Sequence, residues 1–234
     1  MTHSHATSRA KRLLLGVLLV LTLAGCAVGP DKRDPFENFN RGVMRFNDEI
    51  DTAVLKPVAT AYQEALPSPA RKVVGNVFSN LGDFWSLANS LMQLKIPQAA
   101  EGLMRVSINT VFGLYGVLDI ASEMGLERHR EDFGQTLGYW GMPSGPYVVL
   151  PLLGPSTARD AGAFLVDRRA DLVREFDPAS TRNSLYALRL VDTRASLLGA
   201  GRLLDEIALD RYTFVREAYL QRRQADILEE KKDD

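Results

Sequence analysis

The 234-residue chain is poorest in the side chains that most chemistry needs. It holds one cysteine, Cys26, and three histidines, two of them before residue 6. A lone thiol closes no internal disulfide and gives no paired-cysteine metal site, and His129, the one histidine left, sits among charges in "GLERHREDFG". No G-x-S-x-G elbow occurs: Ser144 in "GMPSGP" has its preceding glycine three residues back rather than two. There is no G-x-x-x-x-G-K-[ST] phosphate loop, and "GAGR" at Gly199 to Arg202 follows no strand pattern. The expectation is a protein that is not an enzyme and uses no cofactor or metal. Long apolar runs are also missing. The purest, Leu13 to Gly25, has thirteen uncharged residues, short of the ~20 a spanning helix needs.

What is present begins at that run. Arg9, Lys11 and Arg12 precede it and "LAGC" ends it at Cys26, the layout of a secretory signal over residues 1–25 whose exit resembles a bacterial lipobox. Cleavage there would make Cys26 the first residue and its lipidation site. At ~0.8 kcal/mol per buried methylene, one acyl chain anchors marginally and several anchor firmly. Ala27 after the cysteine, by resemblance to bacterial lipoproteins, favours sorting to the outer membrane. The formal net charge is −1, and losing the three leader cations, with no acid among residues 1–25, leaves −4. A chain of that sign is a poor ligand for nucleic acid.

Residues 26–33 form a short tether, seven residues after the cysteine reaching roughly 25 Å when extended. Asp34 then reads as an N-cap with Pro35 at N1, opening an amphipathic helix with Phe36, Phe39, Val43, Phe46, Ile50 and Val54 on one face and ending before Pro57. Phe36, Phe39 and Phe46 are the candidate membrane-interface residues. Further helices are expected from Pro57, from a Ser68 cap through "DFWSLANSLMQL", from Pro97, from a Ser156 cap to Phe176, and over about 182–198 and 205–222. The uncharged "VSINTVFGLYGVL" between Arg105 and Asp119 reads as a helix buried on most sides. The fold class is all-α, with no strand pattern beyond "YVVL" and a charged, fraying tail over 224–234.

Phe133 to Ala158, "FGQTLGYWGMPSGPYVVLPLLGPSTA", is 26 residues without a charge, broken by four prolines and five glycines. A soluble core would account for it in an arbitrary protein. Next to a lipid anchor it reads as a hairpin or loop at membrane depth, which requires that helices back its polar backbone. This run, with "FENFNRGVMRFN", "LKPVATAY" and "DRYTFVREAYLQRR", resembles the MlaA (VacJ) family of outer-membrane lipoproteins, from about Asp34 to Arg223. The resemblance implies a domain over 34–223 built as a ring of amphipathic helices around a polar channel, lipid-anchored in the periplasmic-facing leaflet of the outer membrane. It implies removal of mislocalised phospholipid from the outer leaflet, docking to an outer-membrane porin trimer, and delivery to the periplasmic carrier MlaC. Within it, Trp140, Gly141, Gly145 and Tyr147 become the candidate channel or gating loop. A passive porin-associated structural lipoprotein, without lipid-translocating activity of its own, stays open as the alternative. So does a surface lipid hydrolase.

Overall fold

The computed structural model describes residues 31–228; the expected leader, the lipidation site Cys26 and residues 229–234 lie outside the described residues. Helix α1 is Glu37–Ile50. It starts later than expected because Asp34 is not its cap. The Asp34 carboxylate is fully buried, accepts hydrogen bonds from Asn40 and Tyr212, and pairs with Arg216 at 3.0 Å. Nor does the helix stop before Pro57. A π-helical turn, Asp51–Leu55, carries it into α2, Lys56–Ala65. There Lys56 N–H reaches back five residues to Asp51, so the wider ladder absorbs a proline at the start of α2 without a break.

Helix α3, Ser68–Met92, starts one residue earlier than a Ser68 cap would give, and packs on α4, Ile96–Val111. The uncharged 106–118 stretch is helical only to Val111. Leu114 and Tyr115 take positive φ, and a Cβ on Gly113 would lie 2.3 Å from the Leu118 carbonyl oxygen. The chain therefore turns, and Phe112, Leu114 and Tyr115 stand exposed instead of buried. After α5, Ile120–Glu123, comes α6, Phe133–Tyr139, so the opening of the uncharged segment is helical. Asp132 caps it through a full capping box with Gln135.

The rest of that segment is an antiparallel hairpin, β1 Tyr147–Leu150 and β2 Gly154–Thr157, with Tyr147 opposite Thr157 and Leu150 opposite Gly154. Thr157, rather than Ser156, caps α7, Ala158–Ala170. That helix stops short of Phe176. A 3₁₀ turn, Leu172–Glu175, follows, then α8 Ala179–Ser196, α9 Leu198–Ile207 and α10 Arg211–Leu228. Helix α10 thus continues five residues into the stretch read as tail.

Neighbour relations close on themselves. Helix α1 runs on into α2, α2 packs on α8, α8 on α3, α3 on α6, α6 on α7, α7 on the hairpin, and the hairpin on α1. Elements arranged this way form a ring with a small antiparallel hairpin in its wall.

Candidate functional site

The ring leaves a cavity of about 1080 Å³ between α3, α7, α8 and the 128–131 loop, reached by Leu153 from the hairpin turn. This is at the top of the roughly 300–1,000 Å³ that holds drug-sized ligands. Its wall is amphipathic. Phe78, Leu81, Trp85, Phe164 and Leu190 supply apolar surface, while Asp83, Glu131, Asp167, Asp171, Asp192, Arg128, Arg130, Arg168 and Arg189 supply charge.

Several of these charges are held rigidly from behind. The Arg105 guanidinium, almost wholly buried, bonds the Leu126 carbonyl at 2.6 Å and Asp119 at 3.0 Å. Arg128 stands between Asp83 and Asp119, 3.2 and 3.5 Å away. Glu131 is fixed by Lys95 at 3.0 Å and by Gln93 at 2.9 Å, and Gln93 also bonds Thr136. Burial raises the Asp83 carboxyl above its ordinary range against the pull of Arg128 and Arg105. Asp167 is also raised by burial, while the Trp85 indole, 2.7 Å away, opposes it. Burial raises Asp119 too, but hydrogen bonds from Ser122 and Asn109 outweigh it and bring the group to about 2.

Beside a small apolar core, the distribution of polarity departs from a soluble domain's in two ways. Asn40, Asn80, Asp83, Asn89, Gln93, Arg105 and Asn109 are buried, while Phe39, Leu94, Leu103, Phe112, Tyr115, Trp140 and Leu152 are more than half exposed. Buried polar groups and exposed large apolar ones are the informative exceptions to ordinary burial. Trp140 donates its indole N–H to the Met92 carbonyl at 3.0 Å, which sets its exposed ring beside the apolar corner of Leu91, Met92 and Leu94. Among the described residues no helix is long and apolar enough to cross a membrane.

None of Trp140, Gly141, Gly145 and Tyr147 is in the cavity wall; Leu153 is the contribution of the uncharged segment. Gly141 and Gly145 have φ of 93° and 68° in the exposed approach to β1. Tyr147 is fully buried, edge-on to Tyr212 and Tyr219 at 6.2 Å each. Of the three interface phenylalanines, Phe39 and Phe46 are exposed and Phe36 is half-buried. His129 is 2.7 Å from Glu101 and outside the cavity wall.

Sequence reasoning missed the group that holds the hairpin. Asn40 accepts from Val149 N–H at 2.9 Å and donates to the Tyr147 carbonyl at 3.1 Å. Two helical turns on, Asn47 accepts from Leu152 N–H at 2.8 Å and donates to Leu150 at 3.0 Å. The two amides act as a substitute strand along the free edge of β1. Their spacing of seven, in "FNRGVMRFN", was the available signal. Also missed was the ion cluster in which Arg223 joins Asp132 of the α6 cap to Asp160 of α7. Gly134 and Gly138 leave room for it: a Cβ at either would strike Asp160 or Arg159 within 2.5 Å.

Comparison with known proteins matches residues 32–226 to the family model of the MlaA lipoprotein. The chain is 35% identical over 223 residues to the intermembrane phospholipid transport system lipoprotein MlaA of Escherichia coli, covering 92% of this chain and 86% of that one. It is 34% identical over 228 residues to the protein of that description from Haemophilus influenzae, covering 92% and 90%. A solved structure from work on the structural basis for maintenance of bacterial outer membrane lipid asymmetry aligns with a TM-score of 0.73 at 33% identity. It covers 83% of this chain and 98% of that one.

Proposed function

Since the chain belongs to the MlaA lipoprotein family, we propose that it carries phospholipid through its central cavity and so maintains the lipid asymmetry of an outer membrane. The observation that carries this reading is the pairing of a charge-lined cavity with large apolar side chains, among them Phe39, Phe112 and Tyr115, left exposed outside its wall. A diacyl lipid with about 30 methylenes would lose more than ~20 kcal/mol if its tails were exposed to water. Its headgroup resists passage through hydrocarbon for the opposite reason. In a ring immersed in one leaflet, the headgroup takes the charged route and the tails keep to apolar surface. The cavity needs no fuel for this; net direction comes from removal of lipid at the exit.

Within the proposal, the chain is anchored through Cys26 to the periplasmic-facing leaflet of the outer membrane, docks on a porin trimer, and hands lipid to the periplasmic carrier MlaC. Trp140, Gly141, Gly145 and Tyr147 then act from outside the cavity wall. Their segment sets the position of the β1–β2 turn that brings Leu153 to the opening, and the two glycines supply its backbone freedom. Phe39 and Phe46 rest in the interface.

The test is deletion of the gene followed by measurement of phospholipid in the outer leaflet, with complementation by wild type, Cys26→Ala and Gly82→Trp. Gly82 lines the cavity and has open space about it, so an indole there obstructs the passage. Deletion is expected to raise surface phospholipid, wild type to restore it, and neither variant to do so at equal protein level. Full rescue by Gly82→Trp would favour the passive structural role.

A further inference from the structure

Beside the central cavity, and sharing Arg168 and Tyr186 with it, lies a second cavity of about 500 Å³. Leu165, Arg168, Arg169, Arg174, Arg182 and Tyr186 form its wall, four guanidinium groups with no carboxylate. Two acids of the same stretch of sequence are engaged elsewhere. Asp167 accepts the Trp85 indole at 2.7 Å and the Phe133 amide at 2.9 Å. Asp171 accepts from Val173 and pairs with Arg189. Arg182 reaches Asp177 only at 3.8 Å, and that side chain is 91% exposed. Arg169 and Arg174 have no carboxylate within ion-pair distance among the described residues.

Helix-end electrostatics explains part of this cluster. Arg168 and Arg169 lie in the last turn of α7, where cations offset the negative end of the helix dipole. Arg182 does the reverse. It lies near the start of α8, whose first turn holds no acid, and so adds to positive potential already there. Arg174 comes from the intervening 3₁₀ turn. Three elements thus turn like charges into one concavity, an arrangement that repels itself until an anion enters. Planar guanidinium forks fit phosphate oxygens two at a time.

We infer that this cleft binds the phosphate of a phospholipid headgroup as the lipid passes between the central cavity and its surroundings. The inference rests on the lipid-carrying reading above. Lipid is favoured over free phosphate by the apolar surface in the wall, where Leu165 is 66% exposed, and by the shared wall residues Arg168 and Tyr186, which lead to a central cavity whose own wall holds Leu190. Tyr186, which carries Arg168 at 5.5 Å and Arg189 at 5.2 Å from its ring, joins the two spaces.

The full chain, in neutral-detergent micelles, is to be titrated calorimetrically with short-chain phosphatidylglycerol, short-chain diacylglycerol and inorganic phosphate. The variants are Arg169→Gln/Arg174→Gln/Arg182→Gln and its lysine counterpart, neither of which touches the central cavity wall. Loss of three charge-assisted contacts is expected to weaken phosphatidylglycerol binding by about tenfold or more, with the lysine variant within about threefold of wild type. Diacylglycerol binding should not change, and inorganic phosphate should bind far more weakly than the lipid. The inference falls if the glutamine variant binds the lipid as wild type does, or if the lysine variant loses as much as the glutamine one. Free phosphate binding as tightly as the lipid would also overturn it. Because calorimetry needs no transport, failed complementation with intact binding would count against the function and not against the cleft.

Discussion

Asn40 carries more of the fold than any single residue of the aromatic stripe beside it. Its side chain is fully buried and makes three hydrogen bonds, to Asp34, to the Tyr147 carbonyl and from the Val149 amide. Truncation leaves a strand edge and a carboxylate short of partners in a dry place. Asn40→Ala is therefore expected to cost about 3 kcal/mol of stability, and Asn47→Ala, whose bonds are more exposed, about 1 kcal/mol. Denaturant titration in micelles checks the ranking; equal losses would mean that the amides do not hold the hairpin. The same residues mark what a sequence conceals. Asp34 before Pro35 has every local feature of a cap, but a local pattern is silent about Arg216 and Tyr212, which arrive from the far end of the chain to claim the carboxylate.

At the scale of elements, two glycines have opposite consequences, one inside a helix and one at the turn that ends another. Gly42 lies within α1 with nothing near its missing Cβ. Gly42→Ala should stabilise the chain by about 0.5–1 kcal/mol through the unfolded state. Gly113 has two backbone carbonyl oxygens within 2.4 Å of the same point, so Gly113→Ala forces the turn open and should cost about 2 kcal/mol or more. Thermal melts of the two variants should shift in opposite directions; a shared direction would refute the turn assignment. Helical periodicity made most of the helices readable in sequence, since apolar spacing and proline positions are local. The cavity wall was not readable. Asp83, Glu131, Asp171 and Arg189 come from four separate segments, and each has the ordinary look of a solvated charge. The segment was legible as a hairpin or loop needing helices behind it, with "YVVL" as its strand pattern; which helix, and through which amides, depends on contacts more than 100 residues apart.

For the whole molecule, the telling feature is a strain that water would not reward. Leu94, Leu114, Tyr115 and Leu152 all adopt left-handed backbone, with φ from 54° to 64°, and each is more than 60% exposed. Left-handed φ costs an L-residue about 1–2 kcal/mol, and soluble proteins place glycine or asparagine at such corners. A bulky apolar side chain returns about 1.5–3 kcal/mol when it leaves water, enough to offset the strain only if the corner enters an apolar phase. Two measurements should therefore move in opposite directions when all four become asparagine in a Cys26→Ala background, which removes any acyl anchor. Stability in micelles is expected to hold or rise, because asparagine tolerates the left-handed region. Sedimentation with phospholipid vesicles is expected to fall by more than about a hundredfold in partition coefficient, from four lost apolar insertions. If the asparagine variant stays on vesicles as firmly as its parent, the corners do not enter the bilayer and the ring sits elsewhere. If instead it unfolds, those side chains are packing on protein, and the outward-facing apolar surface must be covered by something other than lipid.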